Sequence, residues 1–240
     1  MRIISIASGK GGVGKTTLVS NLGVILASNF GKKVLIVDCN ITTSHLGLYL
    51  GMDKFPITLN HVLKGNAEVD DAIYDHSSGL RILPASVSLR DLEGVDVFLL
   101  DSVIKRVFKN YSKEIDFMFL DCAPGLGREA MAAFRASKEI MFVTTPLLPS
   151  VIDVVRCKYT IGDMHLNQLG TVLNMVRGNS IELSTKDIER VTNTPVLTSI
   201  PMDENTIKGT ASGTPVVMSS SRSKTSRSIK RLAEVVLNKT

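Results

Sequence analysis

Short apolar runs alternate with longer amphipathic stretches along the chain. The runs show little period-2 alternation, which is typical of strands buried on both faces of a parallel sheet. Alternating strands and helices predict right-handed crossovers and a doubly wound, mostly parallel α/β sheet with helices on both faces. The predicted strands are 3–7, 34–37, 80–83, 117–120, 139–145, 171–175 and 196–200. The predicted helices are 16–29, 96–111, 127–136, 150–164, 184–191, 203–211 and 228–238, the last preceded by a Ser/Lys/Arg-rich loop over 219–228.

The composition fits one domain that spans residues 1–240. The chain is 44% hydrophobic and 21% charged, which suits a large buried core, and no repeat or linker interrupts the pattern. Lys and Arg number 28 and Asp and Glu number 23. This mildly basic balance favours acidic partners weakly and does not indicate a dedicated nucleic-acid-binding protein.

The cysteines and the apolar runs indicate a cytoplasmic setting. Cys39, Cys122 and Cys157 are far apart in sequence and form no CxxC pair, which favours a reducing compartment. The first apolar run is short and is followed by glycines, so we expect no signal peptide. No run is long enough to span a bilayer.

Residues 9–17, here called the phosphate loop, contain the full GxxxxGK[ST] pattern between a predicted strand and a predicted helix. The glycines let backbone N–H groups surround a triphosphate, and the helix adds the positive end of its dipole. Lys15 is predicted to reach the β- and γ-phosphates and Thr16 to ligate Mg²⁺. A glycine turn that binds nothing is the alternative. The candidate nucleotide-binding residues are Gly9, Lys10, Gly11, Gly12, Val13, Gly14, Lys15, Thr16 and Thr17.

Two predicted strands end in a carboxylate. Asp38 follows the run 34–37, and Asp121 follows the run 117–120. Ligands of doubly wound sheets lie at the carboxyl ends of the strands, so both side chains are expected beside the phosphates, where they would help to hold Mg²⁺. An aspartate that merely ends a strand is the alternative. Gly125, after Pro124, is able to turn its N–H toward a γ-phosphate.

The segment KGGVGKTT resembles the deviant Walker A motif of the MinD/ParA family of P-loop ATPases, and archaeal MinD-like proteins look nearest. The resemblance implies a P-loop NTPase fold, ATP and Mg²⁺ as ligands, and a homodimer in which Lys10 crosses to the nucleotide of the partner subunit. It also implies two switches, which we call switch I (residues 38–48) and switch II (residues 121–125). A solvated Lys10 is the alternative.

Switch I departs from the family pattern. Asn40 stands where relatives carry a second aspartate, and His45 where they carry asparagine. Outside switch I, Leu147 stands where many relatives carry glutamate. An amide accepts a hydrogen bond but is no base, so we expect slow ATP hydrolysis. The expected catalytic set is Lys10, Lys15, Asp38, Asn40 and Asp121, and the expected metal ligands are Thr16, Asp38 and Asp121.

The base is expected at the end of a later strand. Asn174 ends the run 171–175 with an amide that can both donate to and accept from an adenine edge; an ordinary strand terminator is the alternative. The resemblance implies that Asn174, Pro201 and Asp203 contact the base, and that the base is adenine.

The function implied is an ATP-driven dimerisation switch that positions a division, motility or polar complex, helped by a protein partner or activator. One alternative is a ParA-like partition ATPase, because Arg222, Lys224, Arg227, Lys230 and Arg231 form a basic cluster that could hold DNA phosphates weakly. Another is a scaffold that holds ATP without hydrolysing it, motivated by Asn40. The chain ends at Thr240 without the anchor helix of bacterial septum-placing relatives, which is either absent or was removed. A cytoplasmic location is therefore expected, with peripheral association at a membrane or the nucleoid as the alternative.

Overall fold

The structure, a computed structural model, describes residues 1–239, and within them the apolar runs pair into one eight-stranded sheet. The strands are β1 (Arg2–Ala7), β2 (Val34–Cys39), β3 (Tyr74–Asp75), β4 (Arg81–Leu83), β5 (Phe117–Cys122), β6 (Glu139–Thr144), β7 (Asn167–Val176) and β8 (Val196–Pro201). Their order across the sheet is β3-β4-β2-β5-β1-β6-β7-β8. Every pair of neighbours is parallel except β3 with β4.

The helices connect these strands. They are α1 (Lys15–Phe30), α2 (Leu46–Tyr49), α3 (Leu59–Leu63), α4 (Leu100–Tyr111), α5 (Arg128–Ala136), α6 (Leu148–Thr160), α7 (Thr185–Thr192), α8 (Glu204–Ala211), α9 (Val216–Ser219) and α10 (Lys224–Asn238). Short 3-10 turns lie at Asp70–Ala72, Leu89–Leu92, Val97–Leu99 and Gly162–Met164. None of the helices in residues 1–239 is both long enough and apolar enough to cross a bilayer.

Each face of the sheet carries its own core. On one face, Leu22 of α1 and Leu232 of α10 are fully buried against the sheet. On the other, Ile104 of α4, Phe134 of α5 and Val154 of α6 are equally buried. The predicted doubly wound α/β sheet with helices on both faces is therefore confirmed.

Several predicted boundaries were wrong. The last helix begins at Lys224 rather than 228, because the Ser223 side chain accepts a hydrogen bond from the Ser226 N–H and caps the helix. The predicted loop 219–228 is therefore helical over much of its length. The helix predicted from 96 begins at Leu100, and a 3-10 turn capped by Asp96 precedes it.

Arg2 ties the amino edge of β1 to its surroundings. Its guanidinium binds Glu139 of β6 through Nε–Oε1 (2.7 Å) and Nη2–Oε2 (2.6 Å), and donates to the Val236 carbonyl of α10 (2.5 Å). It also lies 5.5 Å from the centre of the Phe117 ring. The bidentate pair thus joins β1 to β6, and the third bond joins β1 to the last helix.

At the opposite edge, three neighbouring strands deliver three loops. The phosphate loop follows β1, switch II begins at the end of β5, and switch I begins at the end of β2. Asp38 and Asp121 are partners in the β2–β5 ladder. The topology therefore brings these predicted site segments to one place.

Candidate functional site

The phosphate loop connects β1 to the start of α1, and its glycines are needed for geometric reasons. Gly12 and Gly14 have φ of 77° and 89°, in the left-handed region that other residues rarely adopt. A Cβ on Gly14 would also lie 2.2 Å from Asn174 Nδ2. Gly14 immediately precedes α1, whose first N–H groups have no intrahelical partner. This arrangement suits an anion at the N-terminus of α1.

Gly9 is fixed by a helix from elsewhere in the chain. A Cβ on Gly9 would lie 2.2 Å from Asp153 Cβ and 2.6 Å from the Asp153 carbonyl oxygen. Asp153 lies in α6 and pairs with Arg156 on the same helix. The backbone of α6 is therefore packed directly against the start of the phosphate loop.

The two lysines of the loop differ in environment. Lys15 is 7% exposed, and its Nζ donates to Ser8 Oγ at 2.8 Å. Burial lowers the pKa of Lys15, while the nearby Asp121 opposes this shift. Lys10 is exposed, and its side chain makes no hydrogen bond or ion pair within residues 1–239. Lys15 thus lies inside the phosphate loop, and Lys10 lies on its solvent-exposed edge.

Asp121 and Thr16 form the part of the site suited to a metal. Thr16 Oγ1 donates to Asp121 Oδ2 at 2.7 Å. The other oxygen, Asp121 Oδ1, is buried without a hydrogen-bond partner among the described residues. Burial and the adjacent Asp38 raise the pKa of Asp121 to about 7. A hydroxyl and a carboxylate with a free oxygen are a donor set that fits Mg²⁺.

Asp38 is held by the residues that follow it. Its Oδ2 accepts from Ser44 Oγ (2.7 Å) and the Leu46 N–H (3.3 Å), and its Oδ1 accepts from the Asn40 N–H (3.1 Å). Burial raises its pKa to about 6, and these bonds oppose the rise. Asp38 therefore orders switch I in addition to standing beside Asp121.

Asn40 lies in a local turn of switch I. Its Nδ2 donates to the Thr43 carbonyl (2.6 Å), and its Oδ1 accepts from Thr43 Oγ1 (3.0 Å). Thr42, two residues after Asn40, donates to a carboxylate oxygen of Glu129 in α5. Both ends of the Asn40 amide are thus occupied by switch I itself.

Gly125 contacts the strand end that leads into the phosphate loop. It has φ of 77°, and its N–H donates to the Ser8 carbonyl at 3.0 Å. Pro124 is exposed beside it, 3.8 Å from where a Cβ on Gly11 would lie. An N–H that turned toward a γ-phosphate would have to leave the Ser8 carbonyl.

The predicted base residues meet at the ends of β7 and β8. Asn174 Nδ2 donates to the Val13 carbonyl at 2.8 Å, which joins β7 to the phosphate loop. A cavity of about 80 Å³ lies beside this bond, and Asn174, Pro201 and Asp203 all line it. Asp203 also caps α8 by accepting from the Asn205 N–H at 2.9 Å. The sequence-predicted base residues are therefore neighbours around one cavity.

Other residues of the site were not found by sequence reasoning. Ser8 bonds Lys15, and Ser44 bonds Asp38. The spacing of Ser44 from Asp38 follows no helical or strand period, so no local pattern could have revealed that bond. Of these residues, only Ser8 could have been suspected from the sequence, because it immediately precedes the phosphate loop.

Comparisons with known proteins agree over the whole domain. The ParA family model, described as an NUBPL iron-transfer P-loop NTPase, matches residues 1–237. An uncharacterised ATP-binding protein of Methanocaldococcus jannaschii is 36% identical over 215 residues, covering 90% of this chain and 80% of the relative. The cell division ATPase MinD of Pyrococcus furiosus superposes with a TM-score of 0.94 at 36% identity, covering 100% of this chain and 99% of that one. The septum site-determining protein MinD of Pyrococcus horikoshii, solved with Mg-ADP, gives 0.93 at 36% identity, covering 99% and 96%.

Proposed function

Because this chain belongs to the ParA/MinD family of P-loop NTPases, as its motifs predict, we propose that it is an ATP-dependent dimerisation switch that positions another cellular complex. The two Pyrococcus proteins are named for cell division and septum-site determination. A division complex is therefore the first cargo to test, and an activating protein partner belongs to the same proposal.

ATP and Mg²⁺ are the ligands of the proposed switch. The M. jannaschii relative is described as ATP-binding, and the P. horikoshii protein was solved with Mg-ADP. Thr16 and Asp121 would hold the metal, with Asp38 behind them, and the unpartnered Asp121 Oδ1 supports this assignment. When bound, Mg²⁺ neutralises charge on the phosphate oxygens. The buried Lys15 and the first N–H groups of α1 complete the cradle.

The proposal of a dimer rests on the difference in burial and hydrogen bonding between Lys15 and Lys10. Lys15 is enclosed and bonded to Ser8, so it serves its own nucleotide. Lys10 projects from the rim, and no described residue pairs with it. A cation placed there would gain most from the phosphates of a second molecule, since a charge-assisted bond in a closed interface is stronger than one in water.

Sedimentation velocity with Mg-ATP and with Mg-ADP tests the dimer. We expect wild-type protein to dimerise with Mg-ATP only, and Lys10→Ala to stay monomeric while it binds Mg-ADP as the wild type does. Lys113→Ala is the matched control, because Lys113 is also exposed but lies before β5, at the opposite edge of the sheet. Dimerisation of Lys10→Ala at wild-type concentrations would contradict the bridging role.

Hydrolysis is proposed to be slow. Switch I offers no second aspartate, and the Asn40 amide is bonded to Thr43 on both sides. Phosphate release measured across protein concentration should therefore be low and should rise as dimers form. Release that stays at background at every concentration would favour the non-hydrolysing scaffold.

A partition function is the second candidate, and one surface favours it. Five basic residues just before α10 and in its first half are exposed, and none makes an ion pair within residues 1–239; they are Arg222, Lys224, Arg227, Lys230 and Arg231. Such a cluster attracts DNA phosphates, with an affinity that falls steeply with salt. Salt-sensitive retention of plain duplex DNA that also requires Mg-ATP would support this candidate, and retention independent of nucleotide would count against it.

A further inference from the structure

The cavity at the ends of β7 and β8 contains a polar atom that the fold does not use. Thr206, in α8, lines the cavity, and its Oγ1 is buried without a hydrogen-bond partner among the described residues. Leaving a buried hydroxyl without a hydrogen-bond partner destabilises the fold. The preceding residues do not share this feature, since Asn205 and Asp203 bond each other at the start of α8. Because this hydroxyl is unpaired and belongs to a residue that lines a cavity, it is able to form a hydrogen bond with a ligand there.

The position of the cavity indicates which part of a ligand it would meet. Thr17 and Leu18, in the first turn of α1, form one wall, and Ile207 and Ile229 lie among its apolar lining. Phosphates at the N-terminus of α1 would leave the base of the nucleotide to extend along this wall. The inference therefore rests on the proposed ATP-binding function.

The orientation of the Asn174 amide sets the chemistry of the base. A carbonyl oxygen only accepts hydrogen bonds, so the atom that faces the Val13 carbonyl must be the Asn174 amino group. The amide oxygen remains as an acceptor and receives no hydrogen bond within residues 1–239. An acceptor pairs with the exocyclic amino group of adenine. It repels the carbonyl oxygen that guanine and hypoxanthine carry at the same position.

Two methionines lie between this cavity and a larger one next to it. Met175 and Met202 line it, and they also line a neighbouring cavity of about 260 Å³. They are 36% and 47% exposed, and Met175 has φ of 58°, a strained value for this residue type. The cavity of about 80 Å³ is well below the ~300 Å³ of small ligand pockets. Flexible thioether side chains are the groups best able to move aside and then pack on a flat ring.

We propose that Thr206, which lines this cavity together with Met175 and Met202, is a further base-binding residue of the nucleotide site. The Thr206 hydroxyl gains its missing partner when the base enters. The methionines cover the ring and separate it from the larger cavity next to it.

Calorimetry with Mg-ADP, Mg-IDP and Mg-tripolyphosphate tests this proposal. Thr206→Val keeps the shape and removes the hydroxyl, so it should weaken Mg-ADP binding about three- to ten-fold and leave tripolyphosphate, which has no base, unchanged. Thr206→Ser should restore most of the loss. Thr210→Val is the control, because Thr210 is exposed on the same helix. Wild-type protein should prefer Mg-ADP over Mg-IDP, which carries a carbonyl in place of the amino group.

The outcomes separate the two proposals. If wild-type protein binds neither Mg-ADP nor tripolyphosphate, the proposed ATP-dependent function fails. If wild-type protein binds Mg-ADP but Thr206→Val binds it equally well, the base-binding role of Thr206 is overturned while the ATP function stands. Equal affinity of the wild type for Mg-ADP and Mg-IDP would contradict the adenine preference of the proposed function, and it would leave the test of Thr206 unchanged.

Discussion

Replacing Gly9 by alanine should damage the fold, whereas the same change at Gly11 should not. An added Cβ at Gly9 would lie 2.2, 2.6 and 2.7 Å from the Cβ, O and C atoms of Asp153. Unbonded carbon atoms prefer about 3.5–4.0 Å. Two of these three atoms belong to the backbone of α6 and cannot rotate away. At Gly11 the nearest atom is Pro124 Cβ at 3.8 Å, which is an ordinary contact.

The size of the effect follows from this geometry. The start of the phosphate loop and α6 would have to separate, and forcing extra atoms into a packed site costs about 1–3 kcal/mol. In a domain of this size each kcal/mol lowers the thermal midpoint by roughly 2–4 °C. Gly11→Ala adds a methyl group at ordinary contact distance and restricts the unfolded chain. It should therefore be neutral or more stable by up to ~1 kcal/mol.

Urea unfolding followed by circular dichroism is the assay, since the chain has no tryptophan. Without nucleotide, Gly9→Ala should show a lower midpoint with an unchanged slope, and Gly11→Ala should match the wild type. Gly9→Ala should also bind Mg-ADP more weakly, because the loop is displaced. Equal midpoints for the two variants would refute the claim that α6 fixes the position of the phosphate loop.

Other features lead to further predictions. Nucleotide-free protein should lose stability as the pH rises from about 4 to about 7. Burial raises the pKa of Asp38 to about 6 and that of Asp121 to about 7, so the folded state holds protons that the unfolded chain has released. The decrease in urea midpoint between pH 5 and pH 8 should shrink in Asp121→Asn, and an unchanged decrease would contradict this. Arg2→Leu should lower the free energy of unfolding by about 1–3 kcal/mol, because it strips the Glu139 carboxylate of two bonds; adding Glu139→Leu should recover part of the loss in a melting experiment. Asn40→Asp should speed single-turnover ATP hydrolysis about ten-fold or more, and an unchanged rate in quenched-flow measurements would place Asn40 outside the reaction.

The long elements were predictable because their patterns are local. The strands that carry Asp38 and Asp121 near their ends are continuous apolar runs up to those aspartates, and the parallel sheet followed from their lack of alternation. Short elements were missed for the converse reason. The two-residue strand β3 and the short helices α2 and α3 form only because the rest of the fold supports them.

The same distinction between local and tertiary features applies to the site. The phosphate loop was recognisable because its glycines and Lys15 are neighbours in sequence and form one local structure. Contacts between distant segments were not, as the bond from Asn174 to the Val13 carbonyl shows. That bond depends on how β7 and β8 stand relative to α1. The unpaired hydroxyl of Thr206 likewise has no signature in the sequence, since a threonine in a polar helix looks the same whether or not its oxygen is satisfied.

The order of the strands β2, β5 and β1 in the sheet keeps the three loops of the site close together. The loops that follow β2, β5 and β1 leave the sheet side by side, and adjacent strands are only ~4.8 Å apart. The three loops thus leave the sheet within about the width of one helix with its side chains. In the proposed switch, the arrival or departure of a single phosphoryl group would affect all three loops together. A partner protein would then distinguish the two nucleotide states through a few neighbouring side chains.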